Sequence, residues 1–374
     1  MAEAGAGLRS EACTSTGVLR VRPDFLPAAT GALSSPVPTL GSSLAPPHNT
    51  VQDKAAMTVW LTRSDFLIPT GEMDYEAYQG DKYHTILNSL GFLNLGNNEN
   101  RLCVDLMTER LYPNDMNYME DPLLQYPNWR GHRFLLAEVA KFLTYHCGSP
   151  SCLNLRNTVV LNSCCAVFSA LVMVLCDPGD VILVPTPFHS GFLFSAQMYA
   201  QVELIPVYVD KSLPDPNRTH VIWGSKDFGI TAFCFGVLYT HNDDVISAMS
   251  PFGYLHSVSG ITQYKLRHLL GDRDWINRVY LPTHHSWLRE AYVYVSKRLR
   301  ELEEQYEFKI TFRSHGCGLY IWINLKKLLE PCTFKEEPVL HCCFLDHKLI
   351  LSRGKSYMFK ESQWFHLVFA ENSQ

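Results

Sequence analysis

The residue with the most chemistry to offer is a lysine just beyond an apolar strand. The run Gly224-Ser-Lys-Asp-Phe-Gly229 follows His220-Val-Ile-Trp223 and precedes Phe233-Cys-Phe-Gly236. Partial desolvation of Lys226 at such a place lowers its pKa and favours attack on a carbonyl, the first step of imine chemistry. The same spacing also fits a lysine on a surface turn. Other chemistries have less support: there is no Walker A run and no G-x-G-x-x-G after a strand, so the usual nucleotide folds are disfavoured. No H-E-x-x-H occurs either. The suggestive groups are His284-His285, His341-Cys342-Cys343 and Asp346-His347, but adjacent residues diverge around a helix, so they read as helix faces rather than ligands of one metal.

The elements that must position Lys226 follow from periodicity. Leu135, Val139, Phe142 and Leu143 recur at helical spacing behind Gly131. Next come an extended Thr158-Val-Val-Leu161, an apolar helix to Cys176 and the turn Asp177-Pro-Gly-Asp180, where Pro then Gly suits type II. Strands are expected at 181–184, 202–209, 220–223 and 233–240. Strands alternating with helices argue for an α/β sheet covered on both faces. Beyond Gly260 the pattern turns helical, with Leu288, Tyr292, Val295, Leu299 and Leu302 on one stripe, and Leu319 to Asn324 reads as a strand of a second, α+β unit.

Length and composition set the frame. At 374 residues there is room for two domains plus tails. Lys+Arg 32 against Asp+Glu 37 gives net −5, which leaves no basic field for a nucleic-acid backbone. Residues 1–57 hold 32 Ala, Gly, Pro, Ser or Thr and no sustained period, and they read as a disordered tail. The apolar stretch 158–176 is interrupted by Asn162, Ser163 and Ser169, which favours a core helix over a membrane span. Twelve cysteines without C-x-x-C fit free thiols in a reducing compartment, and with no signal peptide the expected location is cytoplasmic.

The lysine run belongs to an ordered set of motifs: Leu95-Gly-Asn-Asn-Glu-Asn-Arg-Leu-Cys-Val-Asp-Leu106, Tyr126-Pro-Asn-Trp-Arg-Gly131, Cys176-Asp-Pro-Gly-Asp180, Val184-Pro-Thr-Pro187 and Asn242-Asp-Asp244. From about 73 to 371 the chain resembles the 1-aminocyclopropane-1-carboxylate synthases of the class I/II aminotransferases, and is most similar to the vertebrate synthase-like branch that lacks activity. The resemblance implies a fold-type I pyridoxal-phosphate transferase: an amino-terminal arm and part of the small domain over 58–130, a major α/β domain over 131–255 and a carboxy-terminal small domain over 256–374. It also implies pyridoxal 5′-phosphate as cofactor and a dimer, either of this chain or with a longer relative, in which Tyr126 or Trp129 reaches the partner's site.

Carried over residue by residue, the resemblance makes Lys226 the imine lysine, with Ser225 beside it. The phosphate turn becomes Ser163-Cys164-Cys165-Ala166, and Phe188, with His189 next to it, becomes the stacking ring. Cys234 stands where relatives have a phosphate-binding arginine, and His366 where they have the arginine for the substrate carboxylate. Between Asp210 and His220 several tens of residues are missing, among them the aspartate for the ring nitrogen, so the major-domain sheet is expected to be truncated. The run before Lys226 is one residue short, which can misaim the side chain. The resemblance therefore implies a catalytically inactive protein; an active transaminase or lyase and a truncated form acting through heterodimerisation are the competing readings.

Overall fold

The computed structural model describes residues 72–146, 151–208, 220–222, 224–308, 310–313, 318–328 and 331–370. The tail expected over 1–57 and the Asp210 junction lie outside these residues. The strands are β1 (Leu93–Asn94), β2 (Thr158–Leu161), β3 (Val181–Pro185), β4 (Glu203–Val207), β5 (His220–Ile222), β6 (Gly236–Tyr239), β7 (Thr311–Arg313), β8 (Tyr320–Asn324), β9 (Leu349–Ile350), β10 (Ser352–Arg353) and β11 (Trp364–Val368). The helices that position the site are α1 (Arg133–His146), α2 (Cys164–Leu175), the single turn α3 (Gly224–Asp227), α4 (Gly260–Gly271), α5 (Leu281–Gln305) and α6 (Glu337–Asp346).

Side-chain alternation along β2 builds the first unit. Val160 faces one core with Val237 of β6, where Leu135, Leu136, Val139 and Leu143 of α1 cover them together with Leu266 and Leu269 of α4. Val159 and Leu161 face the other way, with Leu238, against Val167, Ala170 and Leu171 of α2. A strand buried on both faces reads as an unbroken apolar run, as Thr158–Leu161 does. β2 and β5 flank β6, both antiparallel to it. β3 and β4 form a separate parallel pair, seated on Phe168 and Val172 of α2. Among the described residues β5 pairs only with β6 and β3 only with β4, so this sheet is in two pieces.

One local expectation shifts and one holds. The strand expected from Phe233 begins only at Gly236, because Thr231–Phe233 forms a 3-10 turn and Cys234 sits at φ 44, a left-handed conformation that breaks an extended run. Gly179 at φ +94 and the Asp180 N–H to Asp177 O bond of 3.0 Å complete the turn between α2 and β3 as the sequence predicts.

In the second unit the order is β10-β11-β8-β7, all antiparallel. Ile321, Ile323 and Phe365 of this sheet pack against Leu288, Tyr292, Val295 and Leu299 of α5 and Leu340 of α6. Leu302, expected on the same stripe, is 38% exposed, so the buried stripe ends at Leu299. The amino-terminal β1 pairs in parallel with β9. Among the described residues no helix is long and apolar enough to cross a membrane, and α2 is a core helix. The cysteines there are free thiols.

Candidate active site

Lys226 lies on α3, a turn held from two sides. The Tyr280 hydroxyl donates to the Asp227 carbonyl at 2.7 Å. Gly229 adopts φ +65, and a Cβ there would lie 2.7 Å from the Asn100 carbonyl, so only glycine allows the chain to pass. Asn100 Nδ2 lies 3.0 Å from His284 Nε2, and His284 stacks on Tyr280 with ring centroids 5.6 Å apart. Phe228 closes the turn against Tyr280 and Phe142. The Lys226 side chain is half-buried, and burial pulls its ammonium pKa down, opposed by Cys165, Cys164, Glu99 and Asp227. A lowered pKa enlarges the share of neutral amine, the form that attacks a carbonyl.

The start of α2 meets this lysine. Ser163 is the N-cap, its Oγ accepting from Ala166 N–H at 2.9 Å, which satisfies one of the donors that a helix leaves open. Burial raises the pKa of Cys164 and of Cys165 despite the opposing field of Lys226, so both remain thiols at neutral pH. Gly236 of β6 lets this corner pack: a Cβ there would sit 2.5 Å from Cys164 N and the Ser163 carbonyl.

The third wall comes from the second unit. His366 on β11 is 1% exposed, stacked on Tyr357 at 5.2 Å, tilted on Tyr320 at 4.1 Å and edge-on to Trp322 at 5.0 Å. Burial first, then the fields of Lys226 and His189, lower its pKa to about 3. His189 accepts from Gly191 N–H through Nδ1 at 3.0 Å and meets Tyr357 edge-on at 6.2 Å. Burial, then Lys226, brings its pKa to about 4. Both imidazoles are neutral at pH 7, so among these side chains the positive charge comes from the lysine.

The structure thus brings together Lys226, Cys164, Cys165, His189 and His366. It does not bring every expected residue. Phe188, expected as the stacking ring, is 3% exposed and packs with Phe168 and Phe192; His189 is the ring beside Lys226, because the apolar neighbour is drawn into the core. Cys234 is exposed, with Sγ on the Thr231 carbonyl at 3.4 Å, and does not act on the lysine. Tyr126 is fully exposed and Trp129 is 51% exposed against Tyr254, so neither enters the cluster of its own chain. Ser225 precedes Lys226 on α3, and its side chain lies outside the described set. Sequence reading missed Tyr280 and Tyr357, and it set His284 aside as part of a helix face. Asn100 lay inside the quoted 95–106 motif, but nothing marked its contact with His284. No group of three or more His, Cys, Asp or Glu among the described residues could hold a metal ion.

A lysine on the turn that follows β5 of an α/β unit, facing a helix N-terminus and a small antiparallel domain, defines the class I and II aminotransferase type. The family profile "Aminotransferase class I and II" matches residues 91–223. A human protein named probable inactive 1-aminocyclopropane-1-carboxylate synthase-like protein 2 is 48% identical, covering 80% of this chain and 67% of its own length. The mouse 1-aminocyclopropane-1-carboxylate synthase-like protein 1 is 36% identical, covering 81% and 77%. The aspartate aminotransferase of Rhizobium meliloti shares the fold with TM-score 0.61 at 12% identity, over 75% of this chain and 88% of that one. The chain belongs to the 1-aminocyclopropane-1-carboxylate synthase-like family of class I and II aminotransferases. It spans about two thirds of the length of the human relative. That alignment runs over 389 positions yet takes 80% of this chain's 374 residues, so about 90 positions of the relative find no counterpart.

This fold family is generally pyridoxal-phosphate-dependent. The residues present fit two ends of that cofactor: Lys226 suits its aldehyde, and the N-terminus of α2 around Cys165 suits its phosphate. The pyridine end is different. Glu99 and Asp227 are the carboxylates whose fields reach Lys226. Glu99 is paired with Arg101 at 2.9 Å and Asp227 is the next residue on the same turn. The carboxylate that would keep a ring nitrogen protonated therefore has no counterpart among the described residues.

Proposed function

We propose that this chain is a catalytically silent member of its family that keeps a carbonyl-capturing lysine without the apparatus for amino-acid chemistry. The observation that carries this reading is His366: a neutral imidazole, 1% exposed and enclosed by Tyr320, Trp322 and Tyr357, where relatives are expected to grip a substrate carboxylate. A neutral imidazole offers neither the charge nor the fork of a guanidinium. Pyridoxal phosphate, when bound, supplies an electron sink for carbanion chemistry, and that sink needs a carboxylate at the ring nitrogen.

Lys226 is the residue that would hold the aldehyde. The N–H groups at the start of α2, with Ser163 as cap, would hold the phosphate, and His189 would lie against the ring. The proposed organisation is a major domain over 131–255 and a small domain formed from part of 58–130 with 256–374. The proposed assembly is a cytoplasmic dimer, of this chain or with a longer relative, in which Tyr126 or Trp129 faces the partner.

The experiment is absorbance spectroscopy of the purified chain with pyridoxal phosphate, beside assays with amino acid plus 2-oxo acid and with S-adenosylmethionine. The expected result is a visible band lost in Lys226→Ala, with no turnover above the cofactor background. Lys226-dependent turnover would instead establish an active transaminase or lyase. Absence of the band in the unmodified chain would remove the cofactor from this reading.

A further inference from the structure

His366, 1% exposed, carries an unused nitrogen. Its ring hydrogen-bonds the Gly96 carbonyl, and its Nδ1 is buried without a partner, so the bond to Gly96 belongs to Nε2. A carbonyl only accepts, which places the ring proton on Nε2 and a lone pair on Nδ1. The tautomer is held from behind. Ser352 Oγ also donates to the Gly96 carbonyl, at 3.0 Å, and the Ser352 side chain hydrogen-bonds Tyr357. A buried acceptor with no donor costs free energy unless a ligand or solvent satisfies it.

The sheet register shows what surrounds that nitrogen. His366 stands opposite Ser352 on β10 and Trp322 on β8, and side chains directly opposite share a face. Arg353 pairs instead with Phe365, on the face that turns away. The face of His366 is walled by rings: Tyr320, Trp322 and Tyr357 lie against the imidazole, and His189 meets Tyr357 edge-on.

A carboxylate brought against this wall would lose its water beside aromatic rings and set its own lone pairs against that of Nδ1. A hydroxyl or an N–H group has the reverse fit. The site therefore offers three complementary features to one molecule. Aromatic rings suit an aromatic ring, Nδ1 suits a hydrogen-bond donor, and Lys226, whose charge reaches His366, suits a carbonyl.

We infer that this site captures an uncharged aromatic aldehyde bearing a hydroxyl or N–H donor, held by Lys226 in the place that the cofactor's aldehyde would otherwise take. The inference rests on the reading of Lys226 as a carbonyl-capturing lysine and names the class of compound it takes. The neutral Nζ attacks the carbonyl carbon and a C–N bond forms. The carbonyl oxygen then leaves as water with the two amine protons, which gives an imine. No oxidant or reductant is consumed. The donor group of the aldehyde gives its hydrogen bond to His366 Nδ1.

The test is borohydride trapping on the full chain, with peptide mapping of Lys226, for benzaldehyde, 3- and 4-hydroxybenzaldehyde and 4-carboxybenzaldehyde. Each rate is divided by that of the same aldehyde with free Nα-acetyl-lysine, which removes differences in intrinsic reactivity. A hydroxybenzaldehyde is expected about fivefold ahead of benzaldehyde, the return of one hydrogen bond, with 4-carboxybenzaldehyde behind both. His366→Phe, which keeps a ring and removes both nitrogens, should bring the ratio of hydroxybenzaldehyde to benzaldehyde to about one. A urea midpoint establishes that this variant is folded, and if it is not, the aldehyde series on the unmodified chain decides alone. Equal labelling of Lys226 by all the aldehydes, or a lead for the carboxylated one, overturns the inference and leaves the capturing lysine standing. An unchanged hydroxyl preference in folded His366→Phe also overturns it. No trapped adduct at Lys226 with any aldehyde, pyridoxal phosphate included, overturns the reading of the lysine and this inference with it.

Discussion

Tyr280 and Asp227 are joined across 53 residues by one hydrogen bond of 2.7 Å, from the phenol to the carbonyl that immediately follows Lys226. The aim of the lysine is thus set by a residue buried in the core that α1 and α4 cover as much as by its own strand. Tyr280 is 1% exposed, and burial, before any charge, holds its phenol protonated as a donor.

Removing that donor should loosen the turn. Tyr280→Phe keeps the ring packing and leaves the Asp227 carbonyl unpaired, for a loss of about 1 kcal/mol in folding stability. The lysine should also become more exposed, so amine labelling of Lys226 under native conditions should speed up. Unchanged labelling together with an unchanged urea midpoint would show that Tyr280 does not position the lysine.

Restoring the family's arginine should harm rather than help. His366→Arg places a permanent cation in a ring cage 1% exposed to solvent, already under the field of Lys226. An unpaired buried charge costs about 3 kcal/mol or more. Urea unfolding of this variant should show a lower midpoint, and amino-acid turnover should stay absent because no carboxylate is set against the ring nitrogen. A stable variant with measurable turnover contradicts this.

Acid should destabilise the fold earlier than carboxylate titration alone predicts. His366 near 3, His189 near 4 and His284 near 4 have folded pKa values well below the unfolded 6.5. Between those limits the unfolded chain binds more protons, so stability rises with pH and is lost as pH falls from about 6.5, by on the order of 1.4 kcal/mol per unit for each histidine. Glu337 and Asp227 act in the opposite sense, burial raising the pKa of each, that of Asp227 to about 6, but they are two groups against three. Urea midpoints at pH 7, 6 and 5 should fall in that order, and a flat series excludes this account.

Gly236→Ala should be poorly tolerated. Its new Cβ would lie 2.5 Å from main-chain atoms of Ser163 and Cys164, and backbone cannot rotate aside as a side chain can. The cost is about 1–3 kcal/mol, measurable as a lower melting temperature. Gly179→Asn gives the control, since its turn has open space and asparagine tolerates positive φ better than most residues.

Much of the frame was legible because it rests on short periods. A short unbroken apolar run marked Thr158–Leu161, and the three- and four-residue spacing marked α5 as far as Leu299. The lysine turn was legible because its neighbours along the chain are part of the signal. What could not be read were choices made by packing at a distance. Which of Phe188 and His189 faces Lys226 depends on a core pocket formed by Phe168 and Phe192. The Asn100–His284 contact spans 184 residues, and no local pattern announces it. Likewise the left-handed Cys234 delays β6 through a backbone conformation that its side chain does not advertise.

The parallel pairing of β1 with β9 also orders events in time. Leu93 N–H donates to the Lys348 carbonyl at 2.7 Å, Val368 N–H to the Leu95 carbonyl at 2.8 Å and Arg101 N–H to the Ala370 carbonyl at 2.8 Å. On a ribosome, which releases the amino end first, residues 93–101 emerge with none of these partners yet made. Contacts this distant in sequence close slowly, and early segments without their partners are where misassembly starts. The α2-centred unit can gather first, while the amino-terminal arm must wait until β11 has emerged, and chaperones have that interval in which to act.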